Sequence, residues 1–380
     1  MQFTKSERSS YAVYFFIYCA LGVFCPLIGQ YLNSIGFTGT QVGIVMSIGT
    51  IVAVPSGLLW GKIYANTKRK IMIIIILSLS SALMALISMG AKTFPLYSLM
   101  YGIMYFFQGP IHGFCDSMMI DGGKDFPRIR AFGALGYSIS VLIAGRIAQS
   151  FGLEVILYMY AIAFIIASFF VSKEQAPPSL NLDEDKIKIG ELLKNSKYIK
   201  LLICSFFVMG AITTLNTFFG FLYIEVGGSI SGIGVAFLLM TGCEAPMMFL
   251  IPKLREKISP QKLILAAMIV QFIRQMLMGL VPSIPLLMGT FFMQGFSNGV
   301  ILVEIVRYFS QVVDPRLTNI AVATFYAIGN STSIIFCNLV GGTVLDEFGP
   351  KAVFLFFGVM TLIGIVLYKT LKLDLEPDAK

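Results

Sequence analysis

Ionisable side chains inside otherwise apolar runs are the residues most able to do chemistry here: His112, Asp116, Arg130, Glu244 and Arg274. A charge at the centre of a membrane-spanning helix costs about 2.5–3.5 kcal/mol on insertion scales, so each demands a role. His112 and Asp116 are four residues apart and share one helical face. Asp116 and Arg130 occupy neighbouring apolar runs in the first half of the chain, and Glu244 and Arg274 neighbouring runs in the second. One acid and one base per half suits a polar cavity that binds a polar solute and carries a proton. Desolvation raises the pKa of a carboxylate in such a place and an adjacent guanidinium lowers it, so moving the arginine switches its protonation. The competing reading is an ion pair that locks two helices, or a long side chain that reaches the membrane surface. Among uncharged polar residues, Asn216, Gln294 and Asn298 are the expected cavity liners. The remaining polar span residues, Gln271 and Gln108 among them, either line the cavity too or hydrogen-bond between helices.

The elements that must position these groups follow from composition. The chain has 380 residues, 57% hydrophobic and 13% charged, with a mean hydropathy of +0.83. Soluble domains carry about 45–50% apolar and about 25% charged residues, so the chain is expected to be a polytopic membrane protein. Twelve apolar runs are predicted to span the bilayer: 11–32, 40–61, 70–90, 94–120, 130–151, 153–172, 199–224, 231–252, 260–281, 284–310, 317–344 and 350–370. Each is long enough for a hydrocarbon layer of about 30 Å. The start, MQFTKSERSS, leads into the first run without a small-residue cleavage site, so that run is expected to remain in the membrane.

Lysine and arginine set the orientation. Taking alternate loops and both termini together, 24 lie on one side and only Lys92, Arg146 and Lys351 on the other. Both termini are therefore expected in the cytoplasm, and the +8 net charge orients the chain rather than recruiting nucleic acid. The polar stretch 173–198 contains Pro177 and Pro178 and a short amphipathic segment, Ile187–Leu193. It divides the chain into an N-terminal six-helix bundle (1–172), a cytoplasmic linker (173–198) and a C-terminal six-helix bundle (199–380). Two parallel six-span repeats are the arrangement of the major facilitator fold, whose substrate site lies near the midplane.

At particular residues the chain resembles the major facilitator superfamily, and more closely its lactose-permease-like and phenylpropionate-permease-like proton symporters. Arg128-Ile-Arg130-Ala-Phe-Gly-Ala-Leu-Gly136 is similar to the R-x-R-x-[FW]-G-x-x-G motif opening span 5 of that branch. The resemblance implies a substrate-binding role for Arg130, since the aligned arginine binds sugar in lactose permease, and Asp116 matches an acidic position on span 4 of both groups. Glu244-Ala-Pro-Met-Met-Phe followed by Arg274 resembles the span-8 and span-9 motifs of the phenylpropionate group. Two departures stand out. The acid of the superfamily's loop motif is missing from Gly61–Lys70, and Gln294 stands where the family has a histidine, with no equivalent of the glutamate that follows it. The resemblance therefore implies that Glu244 or Asp116 carries protons.

The expectation is a bacterial inner-membrane secondary transporter, monomeric, working by alternating access and moving a small polar organic solute (a sugar, nucleoside or aromatic acid) with protons. Substrate binding falls to Asp116, Arg130, His112, Asn216, Gln294 and Asn298, and proton coupling to Glu244, Arg274 and Asp116. The alternatives are a proton-driven exporter of lipophilic compounds and a transport-inactive membrane sensor or scaffold. An enzyme is not expected. With one histidine and no HExxH, nucleophile or phosphate-loop motif, no catalytic constellation is present. The six cysteines lack metal-ligand spacing and read as small buried hydrophobes, so no cofactor or metal is implied.

Overall fold

The computed structural model describes residues 5–175, 192, 194–314 and 316–370. Leu192 apart, the predicted amphipathic segment 187–193 lies outside the described residues, as does most of the 173–198 linker. Regular structure among the described residues is helical throughout. The chain divides into two compact units, Met1–Leu182 with Gly228–Leu238, and Asp183–Gly227 with Leu239–Lys380.

In the first unit the helices are α1 (Lys5–Phe24), α2 (Ile28–Ser34), α3 (Gly39–Asn66), α4 (Lys70–Ser88), α5 (Phe94–Gln108), α6 (Ile111–Asp121), α7 (Phe126–Phe151) and α8 (Val155–Val171). Thr38 and Gln41 start α3 with a reciprocal capping box, the Gln41 N–H donating to Thr38 Oγ1 at 3.3 Å and the Thr38 N–H to Gln41 Oε1 at 3.1 Å. That satisfies two of the backbone donors every helix start leaves free. Asp125 caps α7, with Pro127 in the first turn, where a missing N–H costs nothing. α1 packs along α7 and α8, and α4 along α5 and α8. The α1–α7 approach depends on glycine: a Cβ at Gly136 would run into the Phe15 backbone, and one at Gly22 into Tyr137 and Ser140.

The second unit holds α9 (Ser196–Thr213), α10 (Leu215–Glu225), α12 (Pro260–Leu280), α13 (Ile284–Gly289), α14 (Phe291–Val312), α15 (Thr318–Thr324), a π-helical turn (Phe325–Asn330), α16 (Ser331–Phe348) and α17 (Pro350–Thr370). α11 (Ile230–Arg255) contributes residues to both units. α12 packs against α14 and α17, and α9 against α16 and α17.

Nine of the described helical stretches are long and apolar enough to cross a membrane. Outward-facing side chains such as Leu58, Leu83, Leu99 and Phe169 are more than half exposed, as a lipid-facing surface requires. The run 94–120 is two helices rather than one, because Pro110 has no N–H for the Phe106 carbonyl. That carbonyl instead accepts a hydrogen bond from the Ser56 hydroxyl of α3. In the run 199–224 the helix breaks at Thr214. There the Ala211 carbonyl accepts from Gln275 Nε2 at 3.4 Å. In both places a side chain from a neighbouring helix supplies the partner that water supplies elsewhere.

Candidate functional site

In the first unit, Asp116 sits on α6 and Arg130 in the first turns of α7. Arg130 Nη1 lies 3.5 Å from Asp116 Oδ2. The other carboxylate oxygen accepts a short hydrogen bond from the Tyr14 hydroxyl of α1. Arg130 is 54% exposed and Asp116 31% at the side chain. Such a loosely held pair contributes up to about 1 kcal/mol of stability and leaves most of the guanidinium fork available. Arg130 also lies 5.9 Å from the Phe126 ring. His112, one turn before Asp116, meets Tyr18 edge-on at 5.2 Å between ring centroids. Its Nε2 is buried with no hydrogen-bond partner among the described residues. Gly133 leaves the room that Tyr18 occupies, since a Cβ there would come within 2.7 Å of that ring.

In the second unit four of the five expected residues form two hydrogen-bonded pairs across three helices. Arg274 of α12 is fully buried. Its Nε donates to the Thr290 carbonyl at 3.1 Å and its Nη1 to Gln294 Oε1 at 2.7 Å. Its guanidinium lies 5.7 Å from the Phe291 ring. Gln294 and Asn298, four apart on α14, share a face. Asn298 Nδ2 donates to Glu244 Oε1 of α11 at 2.8 Å. The structure thus places Asn298, and not Arg274, at hydrogen-bond distance from Glu244, so each charged group is held by its own amide of α14. Asn216 lies half-buried at the start of α10 and takes part in none of these bonds.

Three features escaped the sequence reading. Tyr14 was one of many span tyrosines, with no signal to set it apart. Gln275 binds Thr361 Oγ1 at 2.6 Å as well as the Ala211 carbonyl, which fixes the register of α12 against α17. Finally, Lys124 Nζ pairs with Glu174, while Ser10 Oγ accepts from Lys124 at 2.6 Å and donates to Glu174 Oε1 at 2.9 Å. The Glu174 side chain is 1% exposed, which the position of Glu174 at the end of an apolar run concealed.

The likeness to known proteins runs over nearly the whole chain. Residues 9–356 match the model of the MFS_1 like family. The chain belongs to that family of major facilitator transporters. It is 28% identical over 364 residues to a maltose permease of Geobacillus stearothermophilus, covering 93% of this chain and 91% of that one. It is 23% identical over 373 residues to a probable 3-phenylpropionic acid transporter of Escherichia coli (strain K12), covering 96% of both. The crystal structure of the nucleoside transporter NupG superimposes with a TM-score of 0.87 at 17% identity, over 97% of this chain and 99% of that one. This family member is therefore a multi-pass membrane transporter of a small molecule and not an enzyme.

Proposed function

We propose that this family member is a monomeric secondary active transporter of a bacterial inner membrane, with twelve spans and both termini cytoplasmic. In this reading it imports a small polar organic solute by alternating access, in symport with protons. The observation that carries the coupling is the environment of Glu244. Its partner is the neutral amide of Asn298 rather than a cation. An amide donates to a carboxylate through its nitrogen and, turned over, accepts from a carboxylic acid through its oxygen. Glu244 therefore keeps a hydrogen bond in both protonation states, and taking up a proton breaks no ion pair. Asp116, held by Arg130 and Tyr14, is the poorer proton carrier and the better anchor for a solute.

In this scheme Arg130, half-exposed with an incompletely used fork, binds solute oxygens, with His112 and Tyr18 as the neighbouring rings. The likeness to a maltose permease along nearly its whole length supports an organic solute of this size. The test is solute-driven proton movement in proteoliposomes carrying an internal pH indicator. Wild type is expected to acidify the lumen on addition of its solute, and Glu244→Gln to lose that signal while remaining folded. An undiminished signal in Glu244→Gln would move the proton to Asp116. Alkalinisation on solute addition would indicate antiport and favour export.

A further inference from the structure

Arg274 is a buried cation whose hydrogen bonding is unfinished. Nε and Nη1 reach a backbone carbonyl and a neutral amide, and Nη2 is buried with no partner among the described residues. None of the described carboxylates forms an ion pair with it: Glu244 is occupied by Asn298. One turn earlier on the same face of α12, Gln271 is also fully buried, and neither its Nε2 nor its Oε1 has a partner among the described residues. Burying a guanidinium with no carboxylate at ion-pair distance, on the same helix face as an amide with no partner among the described residues, is unfavourable on both counts. Natural interiors keep such groups where something else completes them. The missing partner must carry negative charge for Nη2 and accept from the amide nitrogen of Gln271. A planar carboxylate, which a guanidinium fork matches with two parallel N–H bonds, does both.

We propose that Arg274 and Gln271 form a carboxylate-binding subsite, and that the transported solute is a monocarboxylate loaded together with one proton on Glu244. This rests on the symport reading above and names its substrate class. Charge balance supplies the coupling. With the subsite empty, ionised Glu244 balances the charge of Arg274 within the same unit, each of them held by a separate amide of α14. When the carboxylate binds, it takes over that role, and Glu244 accepts a proton from solvent at its carboxylate oxygen. The cluster is neutral in both states, so loading and unloading move no net charge.

The experiment uses the full-length purified protein and pairs each acid with its neutral amide: benzoate with benzamide, lactate with lactamide and hexanoate with hexanamide, plus maltose and uridine. At least one carboxylate is expected to raise the melting temperature, as a ligand of the folded state must, while its amide does not. Arg274→Lys keeps the charge and loses the fork, and is expected to weaken that carboxylate by about tenfold. Gln271→Met is expected to weaken it by about tenfold as well, yet to raise the melting temperature of the ligand-free protein, because it deletes an amide with no partner. A merely structural Gln271 would lower the ligand-free melting temperature on substitution and leave affinity unchanged, which would overturn the subsite. Stabilisation by maltose, uridine or an amide with no carboxylate active, or by nothing in the panel, would overturn it too. In proteoliposomes, carboxylate-driven acidification of the lumen should be unaffected by an imposed potassium diffusion potential. A neutral solute driving proton uptake would sink the monocarboxylate while sparing the symport reading. Carboxylate binding that passes both variant tests without proton movement would establish the subsite and sink the symport reading.

Discussion

At the scale of single residues, the sequence identified the expensive groups but not their partners. Burial of a charge is legible because a lone Asp or Arg in an apolar run has few explanations. Which neighbour satisfies it depends on the rotation of helices distant in sequence, and no periodicity encodes that. Asp116 and Arg130 stand in adjacent apolar runs, and the structure brings them together. Glu244 and Arg274, adjacent by span number, instead bond to amides of α14. The difference predicts unlike responses to substitution. Arg130→Lys keeps the charge of a half-exposed pair, so stability should change by less than about 1 kcal/mol while solute affinity falls by about tenfold as the fork is lost. Melting temperature and binding isotherms would separate the two effects, and a large loss of stability with affinity intact would contradict the assignment. Tyr14→Phe removes a buried donor to a carboxylate and should cost about 1.5–3 kcal/mol, measured by thermal unfolding.

At the scale of elements, the apolar runs gave the helices and their approximate ends, because a segment of that length has no other way to satisfy its backbone in lipid. The interruptions were less legible. Pro110 breaks the run 94–120 only because Ser56 stands ready to take the freed Phe106 carbonyl. Likewise Ser333 of α16 enters the α9 ladder, accepting from the Gly210 N–H at 2.7 Å and donating to the Phe206 carbonyl. Neither insertion shows in the local sequence. Close packing makes glycines of similar appearance differ. Gly136→Ala would force a Cβ into the Phe15 backbone and should destabilise by about 1–3 kcal/mol, as overpacking does. Gly113→Ala, in α6 with nothing within 4 Å of the new atom, should be neutral or gain about 0.5–1 kcal/mol from helix propensity. Comparing the two melting temperatures tests whether glycine here serves approach between helices or only local flexibility.

At the scale of the whole molecule, positive charge has two separate uses. In the proposed topology most lysines and arginines set orientation from the loops, an expectation that rests on their alternation along the sequence. A few are drawn inside, and for those the loop count misleads. Lys124 reads as one more orienting loop charge, yet it ties the chain between α6 and α7 to Ser10 of α1 and to Glu174 just beyond α8. This contact joins three parts of the first unit that are distant in sequence. The two partners are unequal: the Lys124 side chain is 21% exposed and that of Glu174 only 1%. Removing one member of a buried pair costs about 3–5 kcal/mol when the survivor is trapped without water. Lys124→Met traps the Glu174 charge and should approach that range. Glu174→Gln leaves a lysine that swings out to solvent, and should cost clearly less. The double variant Lys124→Met with Glu174→Gln should be less destabilised than the sum of the singles, with a coupling of about 0.5–3 kcal/mol. Equal losses for the two singles and strict additivity in the double would mean that Ser10 and packing, rather than the ion pair, hold these parts of the unit together.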